Sequence, residues 1–98
     1  MERIEVIMVV MDGCKYCVSL RPMINNMLRK YGLNLKAVQN TSLTPEIRKT
    51  MPILPHIIFK VDSKVLSQWG GIPKGHTMNS IVKRLEKMVL MNMLKKKS

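Results

Sequence analysis

The chain has 98 residues, of which 17 are Lys or Arg and six are Asp or Glu, so its formal net charge is +11. This length supports one domain with its own core, and no apolar run reaches the roughly 18 residues needed to cross a bilayer. Met1-Glu2-Arg3 leads directly into a strand-like segment, unlike a secretory signal. We therefore expect one soluble, cytoplasmic domain over residues 1–98, with a basic tail from about 95 to 98 and no membrane partner.

The positive charge favours acidic partners and associations that are steered by electrostatics. It does not by itself indicate nucleic acid. The lysines from Lys95 to Lys97 suit the C-terminal end of a helix without any ligand. We therefore do not expect nucleic acid as a partner.

The first third of the chain predicts a strand, a tight turn and a helix. Ile4 to Met11 is a nearly continuous apolar, β-branched run, typical of a strand that is covered on both faces. Asp12-Gly13 ends this run. From Cys14 to about Tyr31 apolar residues recur at helical spacing, and Gly32 follows as a helix C-cap. The apolar positions of this helix are Cys17, Leu20, Ile24, Met27 and Leu28.

The middle of the chain predicts a second strand and a short helix. Leu33 to Val38 alternates apolar and polar residues, which indicates a strand parallel to the first. Ser42 or Thr44 can cap a helix that starts with Pro45 and reaches about Met51.

The last part of the chain predicts a hairpin and a final helix. His56 to Val61 and Val65 to Trp69 form two strands around a tight turn. After a glycine-rich loop, Thr77 or Asn79 opens the final helix. Its predicted core face consists of Met78, Val82, Leu85, Val89 and Met93. The predicted order is βαβαββα, an α/β protein with a four-stranded mixed sheet flanked by helices.

Cys14 and Cys17 are the residues that carry chemistry. A disulfide across so short a loop removes little chain entropy, which indicates a chemical rather than a structural purpose. At the N-terminus of a helix the Cys14 thiolate is stabilised by the helix dipole, and Lys15 adds to this. Cys17 lies one turn further on and is more covered. This arrangement predicts thiol-disulfide exchange in which Cys14 attacks and Cys17 resolves.

A C-x-x-C pair also occurs as half of a zinc site. This chain has no other cysteine, and its histidines, His56 and His76, lack the close spacing of a zinc-finger pair. The strand-turn-helix context therefore favours a redox pair, and we predict no metal ligands. Two alternatives stay open: a basic binding module for nucleic acid or an acidic protein, and iron-sulfur or metal carriage by a dimer through Cys14.

From Ile4 to about Met88 the chain resembles the thioredoxin and glutaredoxin superfamily. Pro22 falls where thioredoxins carry a proline inside the active-site helix. Leu54-Pro55 resembles their cis-proline at the start of a strand, and Gly70-Gly71 resembles the glycines after their last strand. The resemblance implies the thioredoxin-like fold, a cis Leu54–Pro55 bond, and substrate contacts at Leu54, Pro55, Gly70 and Gly71.

Some residues depart from the thioredoxin pattern. Lys15-Tyr16 replaces the usual Gly-Pro, and Met8 replaces a buried acidic residue. Tyr16 beside the second cysteine is glutaredoxin-like. The stretch that ends at Thr77, however, lacks the acidic pair with which glutaredoxins help to hold glutathione. Thr77 and the free amides of the last helix can still bind a carboxylate, so glutathione stays open as a co-substrate.

We therefore expect a dithiol oxidoreductase of the glutaredoxin-like or thioredoxin-like kind, without a bound cofactor. Its electrons come from glutathione or a reductase, and we expect protein disulfides to be better substrates than glutathione. Tyr16 fits stacking on a substrate and covering the helix start equally well. For His56 we expect a solvent-facing strand position rather than a role beside the thiolate.

Overall fold

The computed structural model describes residues 3–51 and 53–95. The elements in chain order are β1 (Ile4–Val10), α1 (Lys15–Arg29), β2 (Leu35–Gln39), a 3-10 turn (Asn40–Ser42), α2 (Pro45–Lys49), β3 (His56–Val61), β4 (Lys64–Gly70) and α3 (Met78–Lys95). The order of strands and α-helices confirms the predicted βαβαββα pattern. The predicted basic tail beyond Lys95 lies outside the described residues.

The sheet is mixed, as predicted, and its strand order is β2-β1-β3-β4. β1 runs parallel to β2 and antiparallel to β3, and β4 pairs antiparallel with β3. The tight turn between β3 and β4 holds Asp62 and Ser63 at φ values of 51° and 69°. Positive φ at both positions suits the right-handed twist of a two-residue hairpin.

One face of the sheet forms the core together with α1 and α3. Because side chains alternate along a strand, the buried residues Ile4, Val6, Met8 and Val10 of β1 all point to this face. The predicted apolar positions of α1, from Cys17 to Leu28, are all buried. In the part of β1 next to the cysteines, Val9 is buried too. The strand is thus covered on both faces at its C-terminal end, as its apolar sequence predicted.

The core face of α3 differs in part from the predicted one. Ile81, Leu85 and Val89 are buried, whereas Met78, Val82 and Met93 only border the core. Residues four apart stack on one side of a helix, so the face is centred on the line from Ile81 to Val89. The sequence pattern favoured the line through Met78 and Val82 because these residues are apolar, although in the structure they lie at the border of the core.

The start of α1 lies beside β1, and its far end is tied to α3. Pro22 lies inside α1, as the resemblance implied. The Tyr31 hydroxyl, just past the end of α1, donates a hydrogen bond of 2.5 Å to Glu86 Oε2 on α3. Within the described residues, no helix combines the length and apolar character needed to cross a membrane. On the core face of the sheet, α1 and α3 pack against each other.

Candidate active site

Cys14 and Cys17 are joined as a disulfide, with their Cα atoms 5.2 Å apart. Cys14 is the N-cap residue of α1, and its Sγ accepts a hydrogen bond of 3.1 Å from the Cys17 amide. A side-chain oxygen usually plays this role at a helix start. The first turn of α1 contains no acidic residue. Its amide donors therefore favour negative charge on the Cys14 sulfur.

The two cysteines differ in exposure. Cys14 is half-buried, whereas Cys17 is only 4% exposed. Lys15 and Tyr16 between them are exposed, and Tyr16 does not cover the disulfide completely. An incoming sulfur can therefore reach Cys14 but not Cys17. This is the order of access that the assigned roles of attacking and resolving thiol require.

The turn that leads from β1 into α1 depends on Gly13. Its φ is +81°, and a Cβ at this position would meet nothing within 4 Å. The requirement for glycine is therefore conformational rather than steric. The turn is closed by a hydrogen bond of 3.3 Å from the Cys14 amide to the Met11 carbonyl. Together these features place Cys14 just past the end of β1, at the start of α1.

The Leu54–Pro55 bond is cis, which confirms the prediction from resemblance. Leu54 lines the same cavity as Cys14 and Tyr16, so the cis-proline segment lies beside the cysteine pair. Pro55 itself is buried, and its carbonyl accepts a hydrogen bond of 2.8 Å from the Gly71 amide. The role of Leu54 and Pro55 in substrate contact stays a prediction.

Gly70 and Gly71 pack against the segment that precedes the cis-proline. A Cβ on Gly70 would lie 2.7 Å from the Ile53 carbonyl oxygen, and one on Gly71 would lie 2.7 Å from Ile53 Cγ2. The structure therefore gives both glycines a packing role, since they let two stretches of chain approach closely. Their predicted contact with substrate stays a prediction.

A cavity of about 510 Å³ opens beside Cys14. It brings together four of the predicted site residues, Cys14, Lys15, Tyr16 and Leu54. The remaining lining residues are Val9, Met11, Asn40, Leu43, Arg48 and Met51. The sequence analysis missed Arg48, Leu43 and Met51. The local pattern placed them on or near a short helix, but nothing in it indicated which end of the sheet that helix covers.

Two further cavities lie beside the cysteines. One of about 190 Å³ is lined by Met11, Cys17 and Val18 among others, and one of about 440 Å³ by Cys14, Lys15 and Val18 among others. Met11, Tyr16 and Val18 are 45%, 57% and 74% exposed. Exposed apolar side chains that cluster around one reactive group are typical of a surface that contacts another protein.

Thr77 lies at the start of α3 and caps that helix. Its Oγ accepts a hydrogen bond of 3.1 Å from the Ser80 amide, and its own amide donates one of 2.9 Å to Ser80 Oγ. None of the cavities beside the cysteines in the described chain is lined by Thr77. Thr77 therefore shares none of these cavities with Cys14, and carboxylate binding at Thr77 stays a prediction.

His56 is buried, so the predicted solvent-facing position is wrong. It is 6% exposed, and its Nε2 is paired with Gln68 Oε1 at 3.0 Å. Nδ1 has no hydrogen-bond partner among the described residues. Two features explain the burial: β3 is an inner strand whose His56 pairs with buried Val9, and Gly70 opposite has no side chain to hold the ring away.

The chain has the thioredoxin fold. Three features define this class: the order of the strands in the sheet, the cysteine pair at the start of the helix after β1, and the cis-proline before β3. Similar solved structures are thioredoxins. Thioredoxin-2, a component of malaria parasite protein secretion machinery, is 20% identical with a TM-score of 0.63, and the match covers 88% of this chain and 84% of that one.

Two other thioredoxins are similar in structure. Germline-specific Deadhead from Drosophila melanogaster is 14% identical with a TM-score of 0.69, covering 87% of this chain and 80% of that one. Thioredoxin f2 from Chlamydomonas reinhardtii is 11% identical with a TM-score of 0.69, covering 90% and 81% respectively. No family model and no curated protein matches the sequence. At these identities the likeness establishes the fold.

Proposed function

We propose that the protein is a thiol-disulfide oxidoreductase that acts on protein disulfides through Cys14 and Cys17. The observation that carries this proposal is the pair itself. An accessible sulfur caps a helix and is bonded to a buried sulfur one turn further on. A disulfide that closes so short a loop adds little stability, so its value lies in being made and broken.

Reduction of a substrate proceeds in two exchange steps. The Cys14 thiolate attacks one sulfur of the substrate disulfide, forming a mixed disulfide and releasing the other substrate sulfur as a thiolate, which takes up a proton. Cys17, once deprotonated, attacks Cys14 Sγ and releases the second substrate thiol. The substrate gains two electrons, and the protein is left with the Cys14–Cys17 disulfide that the structure contains. The reverse sequence oxidises a substrate dithiol.

The electron donor that restores the dithiol is glutathione or a reductase. The direction of net transfer follows the reduction potentials of the two couples. We propose a cytoplasmic setting, in which thiols are kept reduced, so that the protein acts there as a reductant.

The surface around Cys14 favours a protein substrate over glutathione. Met11, Tyr16 and Val18 offer exposed apolar area that a small, polar tripeptide does not need. Thr77, the sequence's candidate anchor for a glutathione carboxylate, already serves as a helix cap. We therefore propose glutathione as a poorer co-substrate, and a thioredoxin-like rather than glutaredoxin-like preference.

The test compares two assays on the same protein. One follows reduction of a protein disulfide, and the other follows a small glutathione mixed disulfide coupled to glutathione reductase. We expect faster turnover with the protein disulfide and no exchange in either assay with Cys14→Ser. Full activity of Cys14→Ser would overturn the mechanism. Brisk turnover of the glutathione substrate with none of the protein disulfide would overturn the substrate preference.

A further inference from the structure

Two positively charged residues line the cavity beside Cys14. Lys15 and Arg48 both line it, and no carboxylate does. Among the residues that the structure describes, the salt bridge found joins Lys30 to Glu86 at 3.8 Å. Neither Lys15 nor Arg48 is therefore paired with an acid of the described chain. The guanidinium, which has only donors, has no hydrogen-bond acceptor there either.

Arg48 belongs to the short helix α2, whose backbone is ordered by hydrogen bonds at both ends. Thr44 Oγ accepts a hydrogen bond of 3.3 Å from the Ile47 amide, and the Arg48 amide donates one of 2.9 Å to the Thr44 carbonyl. At the other end, Thr50 Oγ donates a hydrogen bond of 2.6 Å to the Ile47 carbonyl. Hydrogen bonds thus close the helix backbone at both ends, and the exposed side chain of Arg48 lines the cavity from there. Lys49, the next residue, is exposed and does not line the cavity.

The rest of the cavity wall is mainly apolar. Val9, Met11, Leu43, Met51 and Leu54 contribute to it. A volume of about 510 Å³ holds more than one side chain of a bound segment. A planar guanidinium at the edge of such a wall matches a carboxylate with two parallel hydrogen bonds. The wall and the charge together suit a segment that has an acidic residue next to an apolar one.

We infer, on the basis of the proposed exchange activity, that Arg48 and Lys15 bind a carboxylate of the substrate next to the disulfide that Cys14 attacks. The preferred substrates are then protein disulfides flanked by acidic residues. Arg48 is a specificity-determining residue in this scheme. It takes no part in the exchange of sulfur bonds and acts by placing the substrate disulfide against Cys14.

The test uses two disulfide-containing peptides that differ only in having Glu or Gln on both sides of one cysteine. Wild type should favour the Glu peptide in kcat/KM by about two- to fivefold, the range of a partly exposed ion pair. Arg48→Gln should bring this ratio close to one, and Arg48→Lys should restore part of it. Lys49→Gln is the matched control, because it removes one positive charge from the next residue, outside the cavity. It should keep the wild-type ratio.

Raised salt should lower the wild-type ratio, since exposed charges are screened. Equal rates on both peptides with active wild type would overturn the role of Arg48 while leaving the exchange activity intact. An equal loss of preference in Arg48→Gln and Lys49→Gln would also overturn it, because net charge alone would then be the cause. Exchange with neither peptide would reject the proposed function itself.

A third substrate separates the two sources of a carboxylate. The Gln peptide with an amidated C-terminus, joined to glutathione as a mixed disulfide, offers carboxylates only on the glutathione. We expect Arg48→Gln to change its kcat/KM less than that of the Glu peptide. A larger loss on the glutathione substrate would assign the cavity to glutathione and overturn the inference for proteins.

Discussion

The Cys17 amide donates a hydrogen bond of 3.1 Å to Cys14 Sγ, so the helix that carries the second cysteine is capped by the sulfur of the first. In the reduced protein the same amide, with its neighbours in the first turn, faces a sulfur that can be a thiolate. A hydrogen bond to an ionised acceptor is roughly twice as strong as a neutral one. The local structure of α1 thus supports the reactive form of Cys14.

The first prediction follows from this geometry and from the difference in exposure. In the reduced protein at neutral pH, iodoacetamide should modify Cys14 about tenfold or more faster than Cys17, because Cys14 is accessible and lies at the helix N-terminus. Quantifying the labelled peptides by mass spectrometry measures both rates. Cys17→Ser should accumulate a mixed disulfide with substrate, since no resolving thiol remains.

The denatured protein is the control for this labelling. There the folded environment is lost, and the two cysteines should react at similar rates. Equal rates in the folded state, or faster labelling of Cys17, would contradict the assignment of roles.

Much of the fold could be predicted from the sequence because its signals are local. The apolar run of β1, the helical spacing from Cys17 to Leu28 and the predicted turn Asp62-Ser63-Lys64 each act within a few residues. The cis state of Leu54–Pro55 is different. A trans bond is far commoner for any proline, so only the resemblance predicted it.

The sequence did not predict the place of Arg48 in the cavity or the burial of His56, because both depend on which distant segments of the chain meet. Arg48 belongs to the cavity because the chain between β2 and β3 folds over the end of the sheet near Val9. His56 is buried because it lies on the inner strand β3 beside Val9, and because glycine lies opposite it on β4. Neither fact leaves a periodic signal in the chain. When a polar residue such as His56 is buried by segments distant in the sequence, the local sequence pattern predicts that it faces solvent.

The second prediction concerns the hydrogen bond between buried His56 and exposed Gln68. Nε2 of His56 has Gln68 as its partner, and Nδ1 has none among the described residues. Gln68→Ala would leave the buried ring with both nitrogens unpaired. We expect a loss of about 1–3 kcal/mol in the free energy of unfolding, the cost of an unsatisfied buried polar group. Urea denaturation measures it.

Gln39→Ala is the matched control for that substitution. Gln39 ends β2 and, like Gln68, is an exposed strand residue. Its side chain makes no capping hydrogen bond to the turn that follows. Its replacement should change the free energy of unfolding by less than about 0.5 kcal/mol. Equal effects of the two substitutions would show that the bond to His56 contributes nothing specific.

The third prediction is a pH dependence at Tyr31. The hydrogen bond to Glu86, with burial and the Glu86 charge as smaller causes, raises the pKa of Tyr31 above its ordinary value of 10.0. Because the neutral phenol is favoured in the folded state, its stabilising contribution is fully present below pH 10 and is lost as pH rises through the raised pKa. The difference in the free energy of unfolding between wild type and Tyr31→Phe should therefore be the same at neutral pH and up to pH 10, and it should shrink as the pH rises through the raised pKa.

Absorbance of the phenolate tests the direction of this shift. The chain has two tyrosines, so in Tyr16→Phe the signal comes from Tyr31 alone. Its midpoint should lie above 10.0 in the folded protein and return toward that value when Glu86→Gln removes the charge. A midpoint at or below 10.0 in Tyr16→Phe would show that the contact with Glu86 does not persist in solution.

The last prediction separates the packing role of Gly70 from the conformational role of a glycine elsewhere. A Cβ at Gly70 would lie 2.7 Å from the Ile53 carbonyl oxygen, which is backbone and has little freedom to move aside. Gly70→Ala should therefore cost about 1–3 kcal/mol in the free energy of unfolding, as overpacking does. It should also lower kcat/KM for disulfide exchange, because Ile53 is followed by Leu54, which lines the cavity of Cys14.

Gly75→Ala is the comparison that makes this prediction specific. Gly75 has a φ of +82°, and a Cβ there would meet nothing within 4 Å. Alanine at this position should cost about 1–2 kcal/mol through the left-handed backbone alone and leave kcat/KM unchanged. The two variants are thus expected to be destabilised to a similar extent but to differ in activity, as measured by urea denaturation and by reduction of a protein disulfide. Equal activity in both would show that the Ile53–Leu54 segment can shift without disturbing access to Cys14, and that Gly70 contributes to stability only.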